Sequence, residues 1–253
     1  MFCLLRRVLA AHFNSSTLQS FNPSSIGKYP QVELCLPQRY NTWEVLGEIR
    51  TIIFDLGGVI IDLDVDATMK GFSSMSGLTL PEVREWYAAQ PVFKDFEKGL
   101  ITEADFRQAI REAFSLNGVG DEEIDRVWNA MLADLPVSRL HFMQSLMARY
   151  RVMILSNTNS IHVRQLNTNM LPGIAGADSL NPFAHEVLFS HDIHLRKPDR
   201  AIFRYVLEAY SLVPGETIFL DDNPENVAGA REVGIRAEYI THPDIVFDLF
   251  NTQ

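Results

Sequence analysis

The sequence predicts an α/β fold in which a parallel β-sheet is covered by helices on both faces and carries an inserted helical domain. Three observations lead to this fold class. Short apolar runs rich in β-branched residues end abruptly in polar residues, as buried strands of a parallel sheet do. Helical patterns alternate with the later runs, which favours strand–helix–strand units. Residues 66–136 contain helical patterns and no convincing strand, which indicates an insertion.

Four apolar runs predict the strands. The first, Thr51–Phe54, is followed by Asp55 and by a turn that contains Gly57 and Gly58. The other three also end in polar or turn-forming residues: Val152–Leu155, Val187–Phe189 and Ile218–Leu220.

The helices of the sheet region are predicted from caps and apolar stripes. Ser138 is the expected N-cap of the first helix. In the last one Asn223 is the N-cap, Pro224 the first helical residue and Gly234 the terminator. The stripes are Leu140, Met143 and Met147 in the first helix, Ile202, Tyr205, Val206 and Ala209 in the second, and Val227 and Ala230 in the third.

The insertion at residues 66–136 is predicted to be a helical bundle. Trp86 and Trp128 are expected to anchor its apolar core rather than to stack on a ligand. Two capping-box sequences mark helix starts: Thr79 with Glu82, and Thr102 with Asp105. A further helix is indicated by apolar residues at i, i+3, i+4, i+7 and i+8: Ile124, Val127, Trp128, Met131 and Leu132.

The composition is that of a globular protein and excludes several classes of partner. Of 253 residues, 47% are hydrophobic and 21% charged, which is typical of globular chains. Twenty-two basic against 32 acidic residues give a net charge of −10, so nucleic acid is not an expected partner. No apolar stretch reaches the ~18 residues of a membrane span, so no membrane partner is expected. Cys3 and Cys35 lack the spacing of a metal or disulfide framework.

Residues 1–48 form an N-terminal extension outside the predicted fold. The first 32 residues contain arginine and serine but no Asp or Glu, a composition typical of organelle transit peptides. A disordered extension and a misplaced start codon are the alternatives. We therefore expect a mitochondrial or other organelle location if this segment is a transit peptide, and a cytoplasmic location otherwise.

Polar side chains suited to chemistry follow the predicted strands. Ligands of an open parallel sheet bind beyond the carboxyl ends of its strands, where these side chains are expected to converge. A carboxylate that can attack, an acidic pair that can hold a divalent cation, a hydroxyl and a lysine together suit phosphoryl transfer. Singly, each has an ordinary explanation as a turn, loop or cap residue. The residues are Asp55, Ser156, Asn157, Lys197, Asp221 and Asp222.

Four segments of the chain resemble, in order, the four motifs of the haloacid dehalogenase superfamily of hydrolases. The segments are Ile53–Val59, Ser156–Asn157, Arg196–Asp199 and Phe219–Asn226. Within the superfamily, Leu155–Asn159 and Leu195–Pro198 are most similar to the bacterial α-D-glucose-1-phosphate phosphatases. The resemblance implies a Rossmann-like, three-layer core formed by residues 49–65 and 137–253, with a helical cap at residues 66–136.

The resemblance also implies a role for each residue. Asp55 would attack phosphorus and form an aspartyl-phosphate, and Lys197 would neutralise charge on this nucleophile and on the phosphate. The cofactor would be Mg²⁺, which prefers oxygen ligands. The phosphate would be held by Leu56, Gly57, Ser156, the backbone amide of Asn157, and Lys197. The metal would be held by Asp55, the carbonyl of Gly57, Asp221 and Asp222, the last directly or through water.

Gly57 departs from the pattern of the superfamily's phosphatases, which usually carry a second Asp there as general acid and base. Glycine keeps the main-chain carbonyl for the metal but cannot deliver a proton, a contribution typically worth 10²–10⁴-fold in rate. The glucose-1-phosphate phosphatases also have glycine at this position. We therefore expect a leaving group that departs readily, such as an anomeric sugar hydroxyl, or one that is protonated through water. Asp62 and Asp64 are expected to be loop residues rather than substitutes.

The leading prediction is an Mg²⁺-dependent phosphatase for a small phosphorylated metabolite such as a sugar phosphate. A non-catalytic binding protein, motivated by Gly57, is the alternative, and a metal-independent dehalogenase is less favoured because it would leave Asp221 and Asp222 without a purpose. The cap segment Phe93–Gly99 is expected to form loops that face the cleft. The histidines expected at the surface or substrate rim rather than at zinc are His185, His191 and His194. Oligomeric state is not predicted.

Overall fold

The computed structural model describes residues 49–250. The expectations for residues 1–48, including the transit peptide and both cysteines, lie outside the described residues and stay predictions. Within residues 49–250, no helix combines the length and the apolar character needed to cross a membrane.

The sheet is parallel and five-stranded, in the order β3-β2-β1-β4-β5, which confirms the predicted fold class. The four predicted strands are present within one residue at either end. The fifth was not predicted because three of its four side chains, in the sequence Arg-Ala-Glu-Tyr, are partly or fully exposed at the sheet edge. The strands are β1 (Thr51–Phe54), β2 (Arg151–Ser156), β3 (Glu186–Phe189), β4 (Thr217–Asp221) and β5 (Arg236–Tyr239).

Between β1 and β2 the chain forms six helices. Those that precede Pro136 share one apolar cluster, in which Trp128 is buried and Trp86 packs as a partly buried member. Both tryptophans therefore have the core position that the sequence predicts. The helices are α1 (Val65–Ser76), α2 (Leu80–Ala89), α3 (Val92–Glu97), α4 (Glu103–Phe114), α5 (Asp121–Asn129) and α6 (Val137–Leu146).

Both predicted capping boxes form. The Glu82 carboxylate accepts the Thr79 N–H at 2.8 Å at the start of α2, and the Asp105 carboxylate accepts the Thr102 N–H at 3.0 Å at the start of α4. The segment expected as cleft-facing loops is instead mostly the short helix α3. Its two phenylalanines are buried in the cap, which stabilises the helical conformation.

Two details of the predicted helices before β2 are wrong. Helix α5 ends at Asn129, so Met131 and Leu132 lie in the segment beyond it. Helix α6 begins at Val137 after an extended Pro136, so Ser138 lies inside the first turn instead of capping it.

After β2 the remaining helices alternate with the strands. They are α7 (Ser160–Gln165), α8 (Leu171–Ala175), α9 (Ser190–Ile193), α10 (Arg200–Ala209), α11 (Pro224–Arg231) and α12 (Ile245–Phe250), with a π-helical turn at Leu166–Met170 and 3₁₀ turns at Asn181–Phe183 and Pro214–Glu216. Asn223 caps α11 as predicted, since its side chain accepts the Glu225 N–H at 2.8 Å. Helix α11 ends at Arg231, and Gly234 (φ 86°) instead forms the turn into β5. Tyr205 of α10, expected on the buried stripe, is 39% exposed, and Phe203 is buried in its place.

Alternate residues of the central strands are buried on opposite faces of the sheet. Ile52 and Phe54 belong to a cluster that includes residues of α6, α8 and α12. Ile53 belongs to a second cluster with residues of α10 and α11. Burial on both faces is typical of a parallel sheet and explains why its strands are nearly continuous apolar runs.

The register brings the polar ends of three strands to one edge. Phe54 of β1 pairs with Ile154 of β2 and with Leu220 of β4. The chain leaves β1 at Asp55, leaves β2 after Ser156 and leaves β4 after Asp221. All three exits lie on the same edge of the sheet. This edge carries the candidate site.

Candidate active site

Asp55 leaves β1 with its carboxylate held at one oxygen. Its backbone N–H extends the sheet by donating to Leu220 O at 2.8 Å. The Leu56 N–H donates to Asp55 Oδ1 at 2.6 Å, and the residue is 8% exposed. No hydrogen bond from any residue within 49–250 reaches Oδ2, so this oxygen is available to a ligand.

Lys197 is completely buried and lies between two carboxylates. Its Nζ is 2.8 Å from Asp55 Oδ1 and 2.8 Å from Asp221 Oδ2. The Asn157 side chain fixes the lysine backbone from both sides: its Oδ1 accepts the Lys197 N–H and its Nδ2 donates to the Lys197 carbonyl, each at 2.9 Å. The second and third predicted motifs are therefore joined by a two-point contact that positions the lysine.

Asp221 ends β4 and is also fully buried. Its Oδ1 accepts the Asn223 N–H at 2.8 Å, and Asn226 Nδ2 lies 3.0 Å from both of its carboxylate oxygens. Asp222 is more exposed and approaches the turn after β1. A β-carbon on Gly58, which has φ 76°, would lie 2.1 Å from Asp222 Oδ2, so this approach requires glycine at position 58.

Charge in the site is unbalanced, because one lysine faces three carboxylates. Burial, and then the charge of Asp221, raise the pKa of Asp55, while Lys197 opposes the shift. Burial raises the pKa of Asp222 as well, with a further contribution from Asp221. The pKa of Lys197 is raised because Asp55 and Asp221 outweigh the effect of its burial. A bound cation would relieve the repulsion among the carboxylates.

The acidic residues fit a hard divalent cation. Asp55, Asp221 and Asp222 each offer one carboxylate oxygen, and these oxygens lie within 4.8 Å of one another. Oxygen donors are those that Mg²⁺ prefers, and it needs only a few because it retains water. The more exposed Asp222 carboxylate leaves donor atoms that the protein does not use. The set therefore suits Mg²⁺.

The three histidines of the β3 region lie apart from this acidic cluster in their contacts. His185 Nδ1 accepts the Val152 N–H at 3.1 Å, and His194 Nδ1 donates to the Lys98 carbonyl of the cap at 2.8 Å. Asp62 and Asp64 have structural partners, as expected of loop residues. Asp62 accepts from Arg139 at 2.6 Å, and Asp64 caps α1 by accepting the Ala67 N–H at 3.1 Å.

A cavity of about 170 Å³ lies beside the phosphate-binding residues that the family resemblance implies. Leu56, Gly57, Ser156 and Asn157 line its core side, and the Ser156 hydroxyl makes no hydrogen bond within the described residues. The aliphatic residues of its lining are Ile61, Leu63, Val65, Met131 and Leu132. Trp128, besides its core position, also lines this cavity.

Three further residues line the cavity: Tyr87, Glu97 and His162. Glu97 belongs to the segment Phe93–Gly99 that was expected to face the cleft, whereas Tyr87 and His162 were not singled out from the sequence. His162 stacks on Trp128 with ring centroids 4.9 Å apart, and its Nδ1 donates to Asn129 Oδ1 at 2.8 Å. Its Nε2 is buried without a partner, and burial lowers its pKa to about 3. No local pattern marks these residues, because cap helices and α7 bring them together across long stretches of chain.

Residues 49–234 match the haloacid dehalogenase-like hydrolase family. The chain belongs to this family, which confirms the superfamily resemblance, and it is an enzyme of the hydrolase class. It is 27% identical over 188 residues to a D-ribitol-5-phosphate phosphatase from Bacteroides thetaiotaomicron, a match that covers 74% of this chain and 89% of the relative.

Solved structures agree with this assignment. A haloacid dehalogenase family enzyme from Bacteroides thetaiotaomicron, crystallised with magnesium and inorganic phosphate, superposes with a TM-score of 0.69 at 34% identity, covering 76% of this chain and 93% of that one. A predicted haloacid dehalogenase-like hydrolase from Porphyromonas gingivalis gives a TM-score of 0.71 at 26% identity, covering 81% of this chain and all (100%) of that one.

Proposed function

We propose that the chain is an Mg²⁺-dependent phosphatase that hydrolyses a small polyol or sugar phosphate through an aspartyl-phosphate on Asp55. The placement of Asp55 carries the proposal: it is paired with a buried lysine, belongs to an acidic cluster that suits Mg²⁺, and adjoins a cavity. The ribitol-phosphate phosphatase and the relative crystallised with magnesium and phosphate support it.

The two oxygens of Asp55 have different tasks in this proposal. Lys197 and the Leu56 N–H hold Oδ1, so the free Oδ2 is directed to attack phosphorus. A bond forms between Oδ2 and phosphorus while the bond from phosphorus to the leaving oxygen breaks, and the leaving oxygen takes a proton from water. Water then attacks phosphorus, and Asp55 leaves as a carboxylate with release of inorganic phosphate.

The surrounding residues stabilise the phosphoryl group during transfer. Lys197 supplies a fixed positive charge, and the Ser156 hydroxyl and the Asn157 backbone amide donate to phosphoryl oxygens. Mg²⁺, held by Asp55, the Gly57 carbonyl, Asp221 and Asp222, would supply the charge compensation that lets an anionic phosphate approach a carboxylate.

The leaving group receives no proton from position 57. The finer similarity of Leu155–Asn159 and Leu195–Pro198 to glucose-1-phosphate phosphatases supports an anomeric phosphate, whose hydroxyl departs readily. The similarity to the D-ribitol-5-phosphate phosphatase instead supports a primary alcohol of a polyol as the leaving group. Both substrate types belong in the first assay.

The test is phosphate release by the full chain from ribitol 5-phosphate, glucose 1-phosphate and p-nitrophenyl phosphate, with Mg²⁺ or with EDTA. We expect release that requires Mg²⁺ and is lost in Asp55→Asn. Release that persists in EDTA would contradict the metal dependence. Mg²⁺ binding without release from any ester would instead favour the non-catalytic binding protein.

A further inference from the structure

Among the described residues that line the cavity, only Glu97 carries a charge at neutral pH. The other titratable group that ionises readily, His162, is buried and neutral. It lies at the C-terminal end of α3 in the cap. The cavity lining beyond the phosphate-holding residues therefore contains no cation that would pair with a second phosphate or a carboxylate of the substrate.

The Glu97 carboxylate uses only one of its oxygens within the protein. Its Oε2 accepts from Arg196 Nε, and Arg196 Nη1 donates to the Lys197 carbonyl at 2.8 Å. No hydrogen bond from a residue within 49–250 reaches Oε1. The cap carboxylate is thus fixed and charge-compensated through its Oε2, while its Oε1 remains a free acceptor.

Tyr87 complements this acceptor with a donor. It lines the same cavity, and its hydroxyl makes no hydrogen bond within the described part of the chain. Burial, with the nearby charge of Glu97, raises the pKa of Tyr87 to about 12. The phenol therefore keeps its proton at neutral pH and can donate it to a ligand oxygen.

Apolar side chains also line the cavity, among them Leu63 and Met131. A hydroxylated carbon chain suits this mixed lining, because its C–H groups can contact the apolar residues while its hydroxyls meet Glu97 and Tyr87. The cavity volume of about 170 Å³ lies below the ~300–1,000 Å³ of typical ligand pockets, which suits a small ligand.

We propose that Glu97, with Tyr87 beside it, is a specificity-determining residue that accepts hydrogen bonds from hydroxyls of the leaving group. The enzyme would thereby select phosphate esters whose leaving group is hydroxylated and carries no charge. The proposal rests on the phosphatase function proposed above. It assigns the selection to the cap wall and leaves phosphate binding to the core residues.

The experiment compares two esters that differ only in hydroxyls, ribitol 5-phosphate and n-pentyl phosphate, with the full chain and Mg²⁺. The variant Glu97→Gln keeps the size of the side chain. Because Arg196 requires an oxygen at the position of Oε2, the new amide nitrogen takes the position of Oε1 and replaces a free acceptor with a donor. We expect the ratio of kcat/KM for the polyol ester to kcat/KM for the alkyl ester to fall about 10-fold or more, and Tyr87→Phe to lower it in the same direction.

Glu85→Gln is the matched control, because it removes the same negative charge from an exposed position of α2. It is expected to leave the ratio as in the wild type. An equal loss on both esters in Glu97→Gln would assign Glu97 to cap closure and overturn the proposal. Phosphoethanolamine serves as a cationic probe, and a wild-type preference for it over the polyol ester would overturn the selection of uncharged groups. Absence of Mg²⁺-dependent hydrolysis of every ester would overturn the phosphatase function itself, and with it this proposal.

Discussion

The side chain of Leu63 occupies the space beside Gly57 that a larger residue there would need. A β-carbon on Gly57 would come within 2.9 Å of Leu63 Cδ1. Leu63 is 42% exposed. Its backbone forms an antiparallel bridge to Leu132, near the end of the cap sequence. The absence of a general acid at position 57 is therefore coupled to an apolar side chain that fills its place.

Adding an acid at position 57 is expected to speed hydrolysis of esters with poor leaving groups once Leu63 is reduced in size. In the double variant Gly57→Asp/Leu63→Ala, we expect kcat for n-pentyl phosphate to rise about 10-fold or more, the low end of what general acid catalysis contributes. Hydrolysis of p-nitrophenyl phosphate, whose leaving group departs without a proton, should change much less. Steady-state rates on the two esters measure the difference.

The single variants separate the two effects. Leu63→Ala alone widens the cavity without adding an acid, so it should not favour the alkyl ester. Gly57→Asp alone must displace Leu63 and should give a smaller gain than the double variant. A double variant that is no faster than wild type on the alkyl ester would show that proton delivery does not limit the reaction.

Lys197 is expected to stabilise the fold when no metal is present. Lys197→Met leaves the buried carboxylates of Asp55 and Asp221 without a counter-charge, and breaking a buried ion pair typically costs about 3–5 kcal/mol. Because a cation can replace that charge, Mg²⁺ should raise the unfolding free energy of the variant more than that of the wild type. Urea unfolding in EDTA and in saturating Mg²⁺ measures both quantities.

Lys94→Met, at an exposed position of α3, removes the same charge from the surface and controls for net charge. Equal stabilisation of wild type and Lys197→Met by Mg²⁺ would mean that the lysine and the metal do not compensate the same carboxylates.

The sheet was predictable because each of four strands is a buried apolar run that ends in a polar turn. Strand β5 carries two charged residues on a sheet edge and has no such pattern. Asp55 and Asp221 were predictable for a related reason, since a residue that directly follows a buried strand must lie at the carboxyl edge of the sheet.

Other parts of the site depend on tertiary packing. Glu97 and His162 come from helices that are far apart in the sequence, and only tertiary packing brings them to the same cavity. Asn157 was expected to contribute its backbone amide, and the hydrogen bonds of its side chain to Lys197, 40 residues away, could not be inferred from local sequence.

Those two hydrogen bonds give Asn157 a positioning role that mutation can separate. Asn157→Leu removes both, and at about 0.5–1.5 kcal/mol each we expect a loss of about 1–3 kcal/mol in unfolding free energy together with a lower kcat. Asn157→Asp keeps the acceptor for the Lys197 N–H and loses only the donor to its carbonyl. Its backbone contact is therefore expected to survive in part, although its new charge adds to the acidic cluster.

Urea unfolding and steady-state kinetics on one good substrate test the role of Asn157. Variants that lose kcat with no change in stability would assign the side chain directly to the phosphate. Unchanged kcat in Asn157→Leu would show that the lysine is positioned without it.

His162 is expected to make the stability of the protein depend on pH below the usual pKa of an imidazole, and the variant below separates this contribution from those of the carboxylates. Its pKa in the folded protein is about 3, against 6.5 for a free imidazole. Below pH 6.5 the unfolded chain takes up a proton that the folded chain does not, so stability is complete above this pH and falls as the pH is lowered towards 3, by up to ~1.4 kcal/mol per pH unit.

The variant His162→Phe isolates this contribution. The phenyl ring keeps a surface for Trp128 to stack on but cannot titrate, so its stability should fall less steeply than that of the wild type between pH 6.5 and pH 5. Burial opposes the shift, but hydrogen bonds from Arg164 and Ser160 lower the pKa of Glu103 to about 2. Glu103 therefore adds a loss of stability only below pH 4.5, the usual pKa of its carboxyl group. His191, whose pKa is also lowered by burial, is present in both proteins, so the difference between the two curves belongs to His162. Urea unfolding at half-unit pH steps measures it, and parallel curves would mean that the imidazole finds a partner for its proton in the folded state.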